Sequence, residues 1–155
     1  MDNREAIGSW LSGPGEALKS MGADVGYRGE RLGLPETGPG AIAPLGRRFG
    51  AILLDWGLCL LIAYGLLADG DQTSTSNWTL LVFLILGILT VGTIGATPGK
   101  WLFRIRVIGL DGRRLPFGWA VVRTALLCLG LPPLIWDRDG RGLHDRLGRA
   151  VQIRI

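Results

Sequence analysis

The sequence predicts an all-α integral membrane protein with two transmembrane helices and a third membrane-embedded helix. It adds a small cytoplasmic β-hairpin that pairs with a C-terminal strand. Three observations predict this. Residues 49–68 are apolar apart from Asp55, and at 1.5 Å per residue they make about 30 Å of helix, the thickness of a bilayer's hydrocarbon core. Residues 78–96 form a second run with no charge at all. The basic residues gather at the ends of these runs, where Lys and Arg set membrane orientation.

Composition agrees with that class. Of 155 residues 48% are hydrophobic, and the net charge is only +4. The basic balance therefore reads as topology, and no nucleic-acid partner is expected. Cys59 and Cys128 both lie in apolar runs, where free Cys behaves as a small hydrophobe, so neither a disulfide framework nor a metal site is implied. The opening Met1-Asp2-Asn3-Arg4-Glu5 is mixed in charge and unlike a secretory signal, so the first span is expected to do the targeting.

Residues 1–46 read as a Gly/Pro-rich cytoplasmic arm, largely disordered, because they lack the apolar periodicity of an independent core. Within it, 6–11 and 16–21 could each form a turn or two of helix. Their Trp10, Leu11, Leu18 and Met21 would meet a partner or the lipid interface if the arm docks. Isolated helices that short are marginal in water, which favours a plain tail. The membrane domain is expected over 47–155, with helices about 48–68, 78–96 and 117–131, a hairpin about 102–115 and a tail over 137–155.

In the first span, a carboxylate within the bilayer costs roughly 2.5–3.5 kcal/mol on insertion scales, so Asp55 should face protein or water and have a partner. Arg48 lies seven residues earlier on the same face but about 10 Å away along the axis. Arg123, reaching from the third segment, is the expected partner. Residues 69–77 are polar and free of Lys and Arg, as an outside loop should be. In the second span Gly87, Gly92 and Gly95, with Thr90 and Thr93, permit close approach of another helix. A substrate-lining role for that face is the alternative to packing.

Beyond Thr97-Pro98-Gly99-Lys100, Arg104 and Arg106 alternate with Phe103, Ile105 and Val107. That period of two argues strand, and Asp111-Gly112 is a strong hairpin-turn signal. Residues 117–136 are long enough to span but carry Arg123 and Pro132-Pro133. A full span would export a tail bearing Arg138, Arg141, Arg146, Arg149 and Arg154, against the positive-inside rule. A re-entrant or tilted helix is therefore expected, with a complete span as the alternative. Both termini are then cytoplasmic.

The tail also holds His144-Asp145. An adjacent His and Asp could act as a proton-acceptor pair, since His changes charge near neutral pH; a structural role, with Asp145 capping a turn or pairing with arginines, is the plainer alternative. No Ser-His-Asp spacing, phosphate loop, cofactor motif or metal-ligand cluster is present. Enzyme activity is not expected.

Together, Arg48, Asp55, Thr97-Pro98-Gly99-Lys100, residues 107–112, Arg123 and Arg141-Gly-Leu-His144-Asp145-Arg-Leu-Gly148 resemble the RDD family of small membrane proteins. The family is named for one arginine and two aspartates, which the resemblance places at Arg48, Asp55 and Asp145. It covers roughly residues 45–155. Where the family often has Gly-Thr before its last strand, this chain has Arg149-Ala150, so a role for that hydroxyl does not carry over. The resemblance implies a function in transport without naming a ligand.

Two function classes are therefore expected. One is a multi-pass protein of the cell membrane that contributes, as a homo-oligomer, to transport of ions or small solutes, with Asp55 as its intramembrane polar site. The other is a non-catalytic accessory or scaffold subunit that docks on a larger membrane complex, with Asp55 paired and silent. A weaker reading makes the basic hairpin and tail a surface for anionic lipid.

Overall fold

The computed structural model describes residues 21–22, 26–68, 71–129 and 141–155. The short helices expected at 6–11 and 16–21, Met21 apart, lie outside these, as do Pro132-Pro133 and residues 137–140 of the tail.

Helix α1, Leu45–Ile62, starts directly after Pro44, whose fixed φ of −60° suits the residue before a helix. It runs on as one turn of π-helix, Ala63–Leu67. Helix α2, Gln72–Thr93, starts six residues before the apolar run because the Asp71 side chain accepts from the Ser74 amide at 2.7 Å. That cap satisfies one of the orphan donors of the first turn. Most of the expected outside loop is thus the first turns of a helix. Thr75, Thr79, Thr90 and Thr93 turn their hydroxyls back onto the carbonyls four residues earlier, so these polar groups need no water.

Both helices are long and apolar enough to cross a membrane, yet only 22% and 28% of their most apolar stretches is buried within the molecule. Leu53, Leu61, Leu66, Ile85 and Leu89 point outward. A core helix of a water-soluble domain would be covered.

After α2 the chain turns at Gly95, whose φ of +81° is cheap only for glycine. It then forms the short helix α3, Pro98–Leu102, and strand β1, Ile105–Gly109. The expected hairpin over 102–115 is reduced to a tight turn and one bridge, Ile108 to Arg114. The expected pairing with the C-terminal strand is the ladder that does form: β1 lies antiparallel to β2, Ala150–Arg154, with Val107 opposite Gln152. Ile105 and Val107 face inward while Arg106 faces out. One residue of slip would invert that pattern, which is why burial pins the register.

The arm's boundary moves back from residue 46. Ala43 N donates to Gln152 O at 2.9 Å and Arg154 N to Ala41 O at 2.8 Å, so residues 41–43 lie along the free edge of β2, and Ala41 and Ala43 are buried.

Helix α4, Phe117–Cys128, is about 18 Å long, well short of the 30 Å hydrocarbon core. The chain leaves β1 to reach it and returns to β2 of the same sheet by way of helix α5, Leu143–Leu147. Its Arg123, Thr124 and Leu127 face the interior. Cys59, Phe83 and Leu127 form one apolar cluster, with partly buried Cys128 against it; both thiols are free. A second cluster joins Val91, Val107, Leu115, Ala120 and Ala150, tying α2 and α4 to the sheet.

The small-residue face of α2 packs against α4. A Cβ at Gly87 would stand 2.6 Å from Thr124 Cγ2, whereas one at Gly57 on α1 would meet nothing within 4 Å. Gly87→Ala should lower the thermal midpoint in detergent, by the roughly 1–3 kcal/mol typical of overpacking. Gly57→Ala should leave it unchanged or raise it, since Ala has the better helix propensity. Equal midpoints for the two variants would contradict close α2–α4 packing.

Candidate functional site

The polar interior is assembled at the sheet end of the bundle. Asp55, on the inner face of α1, is 1% exposed. It meets the start of α3: Gly99 N donates to Oδ1 at 2.7 Å, and the Thr97 hydroxyl donates to Oδ2. Lys100 Nζ stands 3.9 Å from the same oxygen and 3.3 Å from Thr97 Oγ1. The four residues Thr97-Pro98-Gly99-Lys100 divide the work. Thr97 is the N-cap and accepts from the Lys100 amide, Pro98 sits where no amide donor is needed, and Lys100 brings the countercharge. Gly99 leaves room, because a Cβ there would lie 2.9 Å from the Asp55 carboxyl.

Arg123, the partner expected for Asp55, is committed elsewhere. Its Nε donates to Asp145 Oδ1 at 2.6 Å, and Gln152 Nε2 of β2 donates to Oδ2 at 2.6 Å. The cause is geometric. Arg123 lies on α4, which packs on α5, so the second aspartate is in reach, while α3, packed on α1, takes the first. His144 Nε2 is 3.4 Å from Asp145 Oδ1, and Arg48 is buried at 5% exposure.

Arg48, Asp55, Thr97, Lys100, Arg123, Thr124, His144, Asp145 and Gln152 are thus all withdrawn from solvent, and they come from α1, α3, α4, α5, β2 and one loop. Every site residue expected from the sequence lies in this core or, like Gly99, in its wall. From the sequence neither Thr124 nor Gln152 is named, and Thr97 only within the motif Thr97-Pro98-Gly99-Lys100. Thr97 carried a signal, as a cap residue before Pro, and Gln152 carried a fainter one, an amide in an alternating apolar strand.

Burial dominates the electrostatics. It pushes the Lys100 ammonium down to about 8, helped by Arg123 and opposed by Asp55 and Asp145. It pushes the His144 imidazole down to about 4 against the pull of Asp145. At neutral pH His144 is therefore uncharged and Lys100 mostly charged. Burial alone would raise the Asp145 carboxyl, but Arg123, Arg48 and the Gln152 hydrogen bond hold it well below the usual range. No cluster of three or more His, Cys, Asp or Glu able to hold a metal occurs among the described residues.

Among the described residues, two small cavities adjoin the core. One, of about 10 Å³, is lined by Asp55, Thr97, Lys100, Arg123 and Thr124 and by apolar groups of α2 and α4. The other, of about 20 Å³, lies among Arg48, His144, Gln152 and α1. Each is large enough for about one water.

Two apolar helices of spanning length above a buried ionic core define a small helical membrane protein. The RDD family model matches residues 42–149, and the chain belongs to that family. The matched segment takes in Arg48, Asp55 and Asp145, as well as residues 42–46 that pack on β2. No curated protein matches the chain, and no solved structure does.

Two predictions rest on this geometry. Asp55→Asn should be milder than Asp55→Leu in detergent thermal stability, because the amide oxygen still accepts from Gly99 N or Thr97, while leucine strands the Lys100 charge and two buried donors. Equal loss in both would count against a paired Asp55. The second concerns pH. His144 has a folded pKa of about 4 against 6.5 unfolded, so the unfolded chain binds the extra proton between those values and stability falls as pH drops. From pH 7 to pH 5 the loss should be about 2 kcal/mol, and His144→Asn should remove that slope. An unchanged slope in the variant would assign it to another group.

Proposed function

We propose that the buried polar core is a binding centre for an ion or small solute, and that the protein contributes to transport as a homo-oligomer in the cell membrane. One observation carries this reading: nine polar side chains, five of them Arg, Lys or Asp, are buried together at one end of an apolar bundle. Folding alone does not call for such a core. Buried ion pairs seldom stabilise more than well-packed apolar residues of the same volume, and intramembrane ionisable groups usually mark ion or substrate routes. Among the described residues no catalytic constellation supports an enzyme, and the apolar exposed faces of α1 and α2 suit lipid and other helices better than nucleic acid.

In the same reading the chain is multi-pass, with the sheet on the cytoplasmic side. Arg47 and Lys100 flank the spans at that end, and Arg104, Arg106, Arg113 and Arg114 cluster there, as the positive-inside rule requires. Helix α4 enters the membrane partway and returns, since β1 and β2, which precede and follow it, pair in one sheet.

A second reading has its own support. The cavity beside Asp55 is about 10 Å³, so one protomer offers no route through itself. Both Asp55 oxygens already accept hydrogen bonds. A docking subunit with a silent Asp55 accounts for both facts.

Proteoliposomes of the purified protein, driven by a pH, Na⁺ or Cl⁻ gradient, separate the two. Transport predicts flux above empty liposomes that Asp55→Asn abolishes while the protein stays folded. Wild-type flux no higher than that of empty liposomes, from folded and correctly oriented protein, would sink autonomous transport and leave the docking subunit.

A further inference from the structure

The structure assigns a headgroup site for an anionic phospholipid, a phosphodiester carrying glycerol, to the cavity between residues 109–116 and the start of α4, with Arg149 as its cationic group. The site goes beyond the transport reading and stands or falls separately from it.

The cavity has about 320 Å³ and is walled by Leu110, Leu115, Pro116 and Trp119, with Arg149 and Asp111 as its charged groups. At roughly 30 Å³ per water it has room for about ten, and it falls at the small end of ligand sites, which run from about 300 to 1,000 Å³. Two contacts set its depth. A Cβ at Gly92, in the last turn of α2, would stand 2.5 Å from the Phe117 ring, and Arg114 Nη1 donates at 3.0 Å to the carbonyl of Thr93, where α2 ends. Residues 109–116 and the first turn of α4 therefore lie at the end of a helix of spanning length, the level at which headgroups replace acyl chains. Leu110 and Phe117 are about half exposed beside the cavity, apolar surface suited to the upper part of an acyl chain.

Charge selects the ligand. Residues 104–116 carry four arginines and one aspartate, and Arg149 joins them, its carbonyl accepting from the Leu110 amide at 3.2 Å. The Arg149 guanidinium lies over the Trp119 ring, 5.1 Å from the centroid, a contact that uses its charge and none of its N–H donors. Among the described residues no carboxylate pairs with it. Lys100 and Arg123 in the buried core are matched to Asp55 and Asp145; Arg149 has no such match. Asp111 spends Oδ1 on the Arg113 amide at 3.1 Å. Helix α4 begins at Pro116 with no side-chain cap, so the positive end of its dipole adds to the wall. A guanidinium pairs with two phosphate oxygens at once. Glycerol hydroxyls can donate to the other Asp111 oxygen, which would repel the carboxylate of a serine headgroup, while a choline or ethanolamine cation would cancel the attraction of the arginines. An acidic protein segment also offers anions, but the depth of the cavity and its apolar wall favour a lipid.

The test uses the full chain in a neutral detergent, with phosphatidylglycerol titrated in at fixed ionic strength. Binding to the folded state alone predicts a saturable rise in Tm with phosphatidylglycerol, and none with phosphatidylcholine or phosphatidylethanolamine. Arg149→Gln should raise the half-saturating concentration by about tenfold or more, and Arg149→Lys by about threefold, because an ammonium lacks the planar fork. Arg47→Gln, at the same end of the spans but outside the cavity, should leave it unchanged. If Arg149→Gln does not fold, Leu110→Glu decides: it changes an exposed position, puts a carboxylate in the wall and should abolish the response. Soluble glycerol phosphate and a polyglutamate peptide serve as comparison ligands. Equal loss in Arg47→Gln and Arg149→Gln would assign the response to general surface charge and overturn the site. No rise with phosphatidylglycerol, a rise unchanged in Arg149→Gln, or an equal rise with glycerol phosphate or polyglutamate would each overturn it too.

Discussion

The contact on which the architecture depends is the carboxylate of Asp55 held at the start of α3. A charged group in mid-helix is expensive in an apolar setting, and it becomes tolerable only when several donors surround it at once. Gly99 N and the Thr97 hydroxyl supply them, and Lys100 Nζ adds a countercharge 3.9 Å away. To deliver two donors and a cation from four consecutive residues, the chain must turn sharply after α2 and begin a helix against α1. Gly95, with its positive φ, makes the turn, and Gly99 permits the approach. The direction of the chain out of the bundle, and so the position of β1, follows from satisfying one buried charge.

The second aspartate does the same for the other half. Asp145 joins α4 through Arg123 and β2 through Gln152, closing the route from β1 through α4 and back. Gly148 makes that closure tight, since a Cβ there would lie 2.8 Å from Arg123 Cβ. The two carboxylates therefore split the cations: α3 serves the first and α4 the second. The sheet then seals the end of the core. Residues 41–43 complete its free edge, covering backbone groups that would otherwise invite pairing with another chain. The two strands are entered through Arg104 and Arg149, both at positive φ, a conformation that costs an L-residue about a kilocalorie or more. At Arg149 the guanidinium lies over the Trp119 ring, 5.1 Å from its centroid, an interaction that offsets part of this cost.

Such a core is costly to build, and its arrangement separates groups whose hydrogen bonds are spent from groups with bonding capacity left. Both carboxylates are satisfied, so the core's uncommitted capacity on the α3–α4 side is cationic and donating. On the side of Arg48, His144 and Gln152 it includes an uncharged imidazole and an amide oxygen with no hydrogen-bond partner. The two cavities therefore differ in chemical character although they adjoin the same ion pairs.

Much of this was legible in the sequence because the physics behind it is local. Twenty apolar residues in a row state a span whatever surrounds them, and a lone Asp within them states a buried partner. Thr-Pro-Gly-Lys states a capped turn, and alternation about Arg104 and Arg106 states a strand. The family resemblance drew together Arg48, Asp55, Gly99, Lys100, Arg123, His144 and Asp145, which do line one core. What sequence alone could not decide was pairing. Arg123 and Lys100 are both cations within reach of an unassigned carboxylate when the chain is read as a line; only the packing of α3 on α1 and of α4 on α5 allots each to its aspartate. For the same reason Asp111-Gly112 produced a turn but not a ladder, because β1 found a better-buried partner some forty residues on, and residues 41–43 joined the sheet with no apolar period to announce them. Spans, caps and turns are set by neighbours along the chain, and an alternating tail announces its strand, whereas the allotment of ion pairs and the closing of a sheet's edge are set by which surfaces meet in space, and that is known only once the helices are packed.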